Sequence, residues 1–235
     1  MCDTCGCASP STLETRKTVD VHESLLAENN RQAEENRHHI EAMGAFAINL
    51  ISSPGSGKTT LLERTIERLG SELRIGVIEG DIETERDAQR IRAKGVPAVQ
   101  LTTGGACHLD ARLVHQGLHE LEHQNHHRGY DLIFIENVGN LVCPATFALG
   151  EHERIVLVSV PEGSDKPAKY PKSFTSSQTF LITKTDLLPH FDFSLDEAKR
   201  EALRLNPDLT IFELSATSGV GFDAWISYLR QRIDL

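Results

Sequence analysis

An α/β fold, with a mostly parallel sheet and helices on both faces, is predicted by two observations, and a third adds a flexible Cys-rich N-terminal arm. The first is alternation. Apolar runs at Phe46 to Ile51, Leu73 to Glu79, Ala98 to Leu101, Asp131 to Glu136, Arg154 to Val160, Thr179 to Thr183 and Leu209 to Leu214 read as strands. Helical candidates lie between and after them, at Glu83 to Lys94, Leu109 to His123, Leu195 to Leu205 and Phe222 to Ile233. Such alternation implies βαβ units with right-handed crossovers, hence parallel strands. The second observation is a glycine-rich turn, Ser52-Ser-Pro-Gly-Ser-Gly-Lys-Thr-Thr60, where the first apolar run stops and a 3.6-residue period starts. The third is the opening stretch, Met1-Cys-Asp-Thr-Cys-Gly-Cys-Ala-Ser-Pro10, which has too little apolar content to pack.

The turn reads as the phosphate-binding loop of a P-loop NTPase. Backbone N–H groups from Gly55, Ser56, Gly57, Lys58 and Thr59 converge on an anion at a helix N-terminus, with Thr60 on the first turn. Lys58 reaches the β and γ phosphates, and the Thr59 hydroxyl ligates Mg2+. The pattern expects glycine at position 52, where this chain has Ser52. In a parallel sheet, ligands bind beyond the carboxyl ends of the strands, so every motif below is expected on one edge.

At 235 residues and 39% apolar composition, one α/β domain with an appendage is expected. Its parts are an arm over residues 1–20, a helical lead-in over 21–43 and a P-loop GTPase domain over 44–235. In the lead-in, Leu25, Leu26, Ala33, Ile40 and Met43 form a thin apolar stripe, which reads as a surface helix or pair of helices. With 24 basic and 34 acidic side chains, the formal charge is −10, and no basic cluster offers a nucleic-acid surface. No run is long and apolar enough for a membrane span, and no signal peptide is evident, so a cytoplasmic protein with reduced thiols is expected.

Two strand ends supply acidic residues for Mg2+. Glu136 ends Asp131-Leu-Ile-Phe-Ile-Glu136 and, with Gly139, resembles the D-x-x-G element of GTPases with Glu for Asp. Asp81 ends Val77-Ile-Glu-Gly-Asp81; it can hold Mg2+ through a water or position the attacking water. Lys58, Asp81 and Glu136 are thus the catalytic candidates. Base choice rests on Thr183-Lys-Thr-Asp186 and Ser215-Ala-Thr217. The first resembles the N-K-x-D element, in which Asp186 accepts from guanine N1 and N2 while the Lys184 stem lies along the ring. The second resembles the element whose backbone N–H, here from Ala216 beside Ser215, meets guanine O6. Adenine offers no donor pair to Asp186, so GTP is favoured. Thr183 stands where Asn is usual, which removes an amide that ties these loops together.

Five cysteines occupy positions 2, 5, 7, 107 and 143. Cys2, Cys5 and Cys7, spaced C-x-x-C-G-C, place three soft ligands within reach of one ion, and Ni2+, Zn2+ and Cu(I) all suit them. Cys107 and His108 follow a strand, and Cys143 lies just beyond Glu136. All three belong to the carboxyl edge, where metal binding and nucleotide state can bias one loop. Three ligands leave a position for water or a partner's residue. His115, His119 and His123 recur at helical spacing and, with His126 and His127, read more readily as a polar solvated face than as a metal site.

Taken together, the arm, Ser52 to Thr60, Cys107-His-Leu-Asp-Ala111, Glu136-Asn-Val-Gly-Asn-Leu-Val-Cys-Pro144 and Asp165-Lys-Pro-Ala-Lys-Tyr-Pro171 resemble the HypB family, nickel-inserting GTPases of [NiFe]-hydrogenase maturation. The resemblance covers nearly the whole chain, and Ser at position 52 and Glu at 136 are usual in that family. It implies that Cys2, Cys5 and Cys7 form the high-affinity nickel site, and that Cys107, His108 and Cys143 bind nickel or zinc. It also implies a nucleotide-dependent homodimer, a partner nickel metallochaperone and delivery to the [NiFe]-hydrogenase large subunit. The expected function is that of a slow, Mg2+-dependent GTPase whose hydrolysis releases the metal. Lys166 or Lys169 can stabilise charge across the dimer. Rival readings are a urease accessory GTPase, a passive nickel store or sensor with a structural nucleotide, and a small-molecule kinase.

Overall fold

Residues 12–81 and 85–233 are described by the structure, a computed structural model. Cys2, Cys5 and Cys7 lie outside the described residues. In chain order the elements are α1 (Thr12–Ala42), β1 (Phe46–Ser52), α2 (Lys58–Leu69), β2 (Ile75–Asp81), α3 (Arg86–Arg92) and β3 (Ala98–Thr102). They continue with α4 (Ala111–Gln124), β4 (Leu132–Glu136), β5 (Glu153–Ser159), α5 (Lys166–Lys169), α6 (Pro171–Thr175) and β6 (Thr179–Thr183). The last are α7 (Leu195–Leu205), β7 (Thr210–Glu213) and α8 (Phe222–Arg232). No helix among the described residues is long and apolar enough to cross a membrane.

The strands form one seven-stranded sheet in the order β3-β2-β4-β1-β5-β6-β7, with every neighbouring pair parallel. Apolar side chains point alternately to the two faces, because successive strand residues project oppositely. Ile48 and Leu50 of β1 therefore pack with Leu61, Leu62 and Ile66 of α2 and Trp225, Ile226 and Leu229 of α8. Ala47 faces the opposite layer, with Val114, Leu118 and Leu121 of α4 and Ile40 of α1. Further along that face, Ile51, Val156 and Val158 meet Phe174 of α6 and Ala198 of α7. Trp225 Nε1 donates to Thr65 Oγ1 at 3.0 Å, which satisfies the one polar atom of a fully buried ring.

The lead-in is one continuous helix, and its backbone reaches back to Thr12, into the stretch read as arm. Its apolar stripe is indeed thin: Ala33, Ile40 and Met43 are buried, whereas Leu25 is 58% exposed. Polar anchors supply the rest. Asn36, fully buried, donates from Nδ2 to Ala111 O at 2.7 Å and to Leu149 O at 2.9 Å. Asn29 accepts from Ala111 N at 2.9 Å and donates to Ala148 O at 2.8 Å, and Arg37 Nε donates to Gly150 O at 2.7 Å. Asn36→Ala would take a side-chain donor from two buried carbonyls, an expected loss of ~1–3 kcal/mol in urea denaturation. An unchanged midpoint would show that Asn36 does not help to hold α1.

Candidate nucleotide and metal sites

Because the strands are parallel, their carboxyl ends share one edge, and the loops that leave β1, β2, β4 and β6 meet there. The glycine-rich turn between β1 and α2 is shaped by Gly55 (φ 75°) and Gly57 (φ 95°), left-handed backbone that a side chain would strain. Gly57 caps α2, so the first N–H groups of a 12-residue helix open toward the cavity. That cavity, about 460 Å³, is walled by Gly55, Gly57, Lys58, Thr59 and Thr60 on one side. Glu79, Asp81, Asp87, Arg90, Glu136 and Gly139 line it as well. A second hollow of about 280 Å³ adjoins it, sharing Gly57, Thr60 and Lys184, and is lined by Ser56, Thr183, Asp186, Leu187, Ala216 and Thr217. A larger open hollow of about 670 Å³ lies against α1 at Arg37 and His152, and no helix N-terminus opens into its wall.

Within the phosphate cavity Lys58 Nζ donates to Ser52 Oγ at 3.0 Å, so the residue in place of glycine parks the lysine. Thr59 Oγ1 donates to Glu136 Oε1 at 2.9 Å. The sheet register pairs Glu79 with Glu136, placing two carboxyls side by side on one face. Both are buried, and Glu79 Oε2 and Glu136 Oε2 have no hydrogen-bond partner. Orphaned carboxylate oxygens beside a threonine hydroxyl are a hard-oxygen donor set, which fits Mg2+. Asp81 lies in the same wall at the end of β2.

Sequence reasoning missed Glu79, Asp87 and Arg90. Glu79 had a signal, a charge inside the apolar run of β2, but its nearness to Glu136 depends on register between strands. Arg90 is held by Glu63 at 2.6 Å and Asp87 at 2.9 Å. Lys166 and Lys169 do not line the cavity: Lys169 pairs with Asp165 at 2.5 Å and Lys166 sits 5.5 Å from the Tyr170 ring centroid.

In the second hollow, Ser215 Oγ donates to Asp186 Oδ1 at 2.5 Å, which aims the carboxylate. Lys184, at a positive φ of 57°, reaches back so that Nζ donates to Gly55 O at 2.7 Å. Thr183 Oγ1 donates to Ser56 O at 2.7 Å in a buried contact. Thr183 lacks the amide expected from Asn, but its hydroxyl supplies a tie of its own between β6 and the glycine turn. Ala216 O accepts from Arg64 Nε at 2.9 Å.

The thiol cluster lies one loop further along the same edge. Cys107 Sγ and Cys143 Sγ are 3.0 Å apart as free thiols, and His108 Nδ1 is 3.9 Å from Cys107 Sγ. One donor atom from each residue falls within 4.8 Å of the others, so all three predicted ligands do converge. Burial lowers the His108 pKa, which keeps the imidazole neutral and able to ligate. The Cys107 hydrogen bond, then burial, raise the Cys143 pKa, so a metal must displace a proton to bind. The His108 ring stacks on Phe147 at 4.1 Å between centroids. Phe147 O in turn accepts from Arg154 Nη2 at 2.9 Å, and Arg154 also holds Ala145 O at 3.1 Å, so one arginine steadies the loop after Cys143.

The two sites are physically joined. Asn137, next after Glu136, is buried, and its Oδ1 accepts from Leu109 N at 3.1 Å and from Val138 N at 3.0 Å. Leu109 directly follows His108. Gly139 passes so close to the turn that a Cβ there would stand 2.9 Å from Pro54 Cα. Asn140 Nδ2 reaches Cys107 O at 3.4 Å, and Cys143 follows three residues later.

Residues 46–213 match the CobW/HypB/UreG nucleotide-binding domain. The hydrogenase maturation factor HypB of Azotobacter chroococcum mcd 1 is 50% identical over 223 residues, 94% of this chain and 71% of that protein. The crystal structure of HypB from Helicobacter pylori in complex with nickel superposes with a TM-score of 0.84 at 38% identity, covering 88% of this chain and 95% of that one. That of the hydrogenase maturation factor HypB from Archaeoglobus fulgidus gives 0.81 at 41% identity, covering 88% and 100%.

The buried carboxyl pair sets a pH dependence. Both pKa values are raised above 4.5, Glu79 by burial and then by the Glu136 charge, Glu136 by burial. The native state then holds protons that the unfolded chain releases, so these groups make stability fall as pH rises. His108, His115 and His152, lowered by burial, act oppositely below 6.5. Between about pH 7 and 8.5, urea denaturation without Mg2+ or nucleotide is expected to show a fall that Glu79→Gln flattens. An identical slope in the variant would contradict the assignment.

Proposed function

The chain belongs to the HypB family of hydrogenase maturation factors, and from that premise we propose a Mg2+-dependent GTPase that carries nickel and couples GTP hydrolysis to its release. The observation that carries this reading is the single segment from Glu136 to Cys143, which borders the phosphate cavity at one end and the thiol cluster at the other.

In this reading GTP lays its phosphates in the cavity at the start of α2 and its base in the adjoining hollow. Asp186, steadied by Ser215, accepts from guanine N1–H and the N2 amino group, with Ala216 N–H at O6. Lys184 packs its stem along the ring while Nζ holds the turn. Lys58 leaves Ser52 for the β and γ phosphates, and the N–H groups of residues 55–60 share their charge. Thr59 and Glu136, backed by Glu79, would hold Mg2+, which would supply neutralisation of the phosphate charge. Asp81 orients the water, whose oxygen bonds to γ-phosphorus as the bond to the β–γ bridging oxygen breaks, giving GDP and phosphate.

Loss of the γ-phosphate relaxes the Glu136–Gly139 strip, and the change passes through Asn137 to Leu109 and through Asn140 to Cys107. Nickel held by Cys107, His108 and Cys143 is thereby loosened. Val142, beside Cys143, is 57% exposed, an apolar neighbour suited to a nucleotide-dependent homodimer that would supply a further ligand. Cys2, Cys5 and Cys7 are proposed as the high-affinity nickel site. A partner metallochaperone and the [NiFe]-hydrogenase large subunit complete the cytoplasmic route. Zn2+ competes for the Cys107 site, since the donor set suits both ions.

Lys58→Ala is expected to lower GTP turnover at least ~100-fold, measured as phosphate release with folding checked by circular dichroism. Unchanged turnover would remove the GTPase reading. Asp186→Asn is expected to shift preference from GTP toward xanthosine triphosphate, because Asn offers a donor where the carboxylate only accepts. Preserved guanine selectivity would place base recognition elsewhere.

A further inference from the structure

α1 and α4 bring a second set of metal-binding side chains together, away from the sheet edge. His39 of α1 meets His115 and His119 of α4, one donor nitrogen from each lying within 4.8 Å of the others. Ring centroids are 4.7 Å apart for His39 and His119, 4.6 Å for His115 and His119, and 6.1 Å for His39 and His115. The solvated face expected from the sequence is thus only partly so: His123 turns to His127 instead, at 5.3 Å.

Three features distinguish this cluster from surface histidines that happen to touch. His115 Nδ1 lies 3.1 Å from Asn36 Oδ1, and Asn36 has committed its amide nitrogen to Ala111 O and Leu149 O. The oxygen facing His115 can only accept, so Nδ1 carries the hydrogen and Nε2 carries the lone pair. A ligating histidine needs this kind of orientation, its far nitrogen donating to an oxygen. Next, His115 Nε2 and His119 Nε2 stand 3.3 Å apart. Nitrogens bound to one tetrahedral ion at ~2.0–2.1 Å are separated by ~3.3 Å, so the pair is already spaced for a shared metal. Lastly, Glu122 Oε2 contacts His39 Nε2 at 3.2 Å, and Glu35 lies near His115, so carboxylates balance an added dication.

We propose that His39, His115 and His119 form an all-imidazole site for a divalent transition ion, of the class Ni2+, Cu2+ or Zn2+, that staples α1 to α4. The site needs no thiolate, so it holds an ion even when Cys107 and Cys143 are oxidised. α4 begins just after Cys107 and His108, so the site lies on the helix that leaves the thiol cluster.

The test uses a full-length variant with Cys2, Cys5, Cys7, Cys107 and Cys143 all changed to Ser, titrated calorimetrically with NiCl2 and ZnCl2 in excess Mg2+. One bound equivalent is expected, with a raised Tm in the presence of ion. His119→Gln in that background is expected to weaken binding at least ~10-fold. His119 is exposed, so the fold should tolerate the change; in the parent variant, Zn2+ should also shift the imidazole NMR signals of His39, His115 and His119 together. Absence of binding in the five-Ser variant, or binding unchanged by His119→Gln, would overturn the proposal.

Discussion

The side chain of Asn137 is the constraint on which the arrangement of both sites depends. It follows the last residue of β4, is buried, and must satisfy both ends of its amide inside the protein. Its oxygen is spent on Leu109 N and Val138 N, and its nitrogen on Asn49 Oδ1 at 3.3 Å in β1. Three stretches distant in sequence are fixed by one group: the strand before the glycine turn, the strip along the phosphate cavity and the entry to α4. A shift of that strip cannot leave the Cys107–His108 segment untouched without orphaning a buried polar atom, at a cost of ~1–3 kcal/mol.

Around that point the fold holds groups that water would keep apart. Glu79 and Glu136 are neighbours on β2 and β4, parallel strands buried on both faces. Without a cation their burial opposes folding, and the surrounding layers must offset it. The α2–α8 layer and the α4–α1 layer clamp the same strands from opposite sides. Lys58 resting on Ser52 and Thr59 resting on Glu136 are already held at the wall of the cavity by internal hydrogen bonds. The thiol cluster follows the same logic, with Phe147 and Arg154 fixing the loop while sulfur and imidazole stay partly open.

Much of this was legible in the sequence because it is local. The strand Thr179–Thr183 and the helix Leu195–Leu205 have the bounds their apolar patterns imply, and the glycine turn announces itself by spacing. The convergence of Cys107, His108 and Cys143 also followed from parallel topology, since loops after strands share an edge. What escaped was set by tertiary register. Glu79 showed only as a charge inside an apolar run, because nothing local says which carboxyl lies opposite. Asn36 carried no signal of its own, because an amide that caps buried carbonyls reads the same as one that faces water. His39 gained partners only when α1 lay against α4.

The most direct test of the central claim is the nickel affinity of the thiol cluster in two nucleotide states. A variant with Cys2, Cys5 and Cys7 changed to Ala, carrying His119→Gln as well, would be titrated with Ni2+ in the presence of Mg-GDP and of a non-hydrolysable Mg-GTP analogue. Coupling through Asn137 and Asn140 predicts affinities that differ at least ~5-fold, the lower end of ordinary coupling between sites. Equal affinities would contradict the account, leaving the thiol cluster a static site beside an independent nucleotide switch.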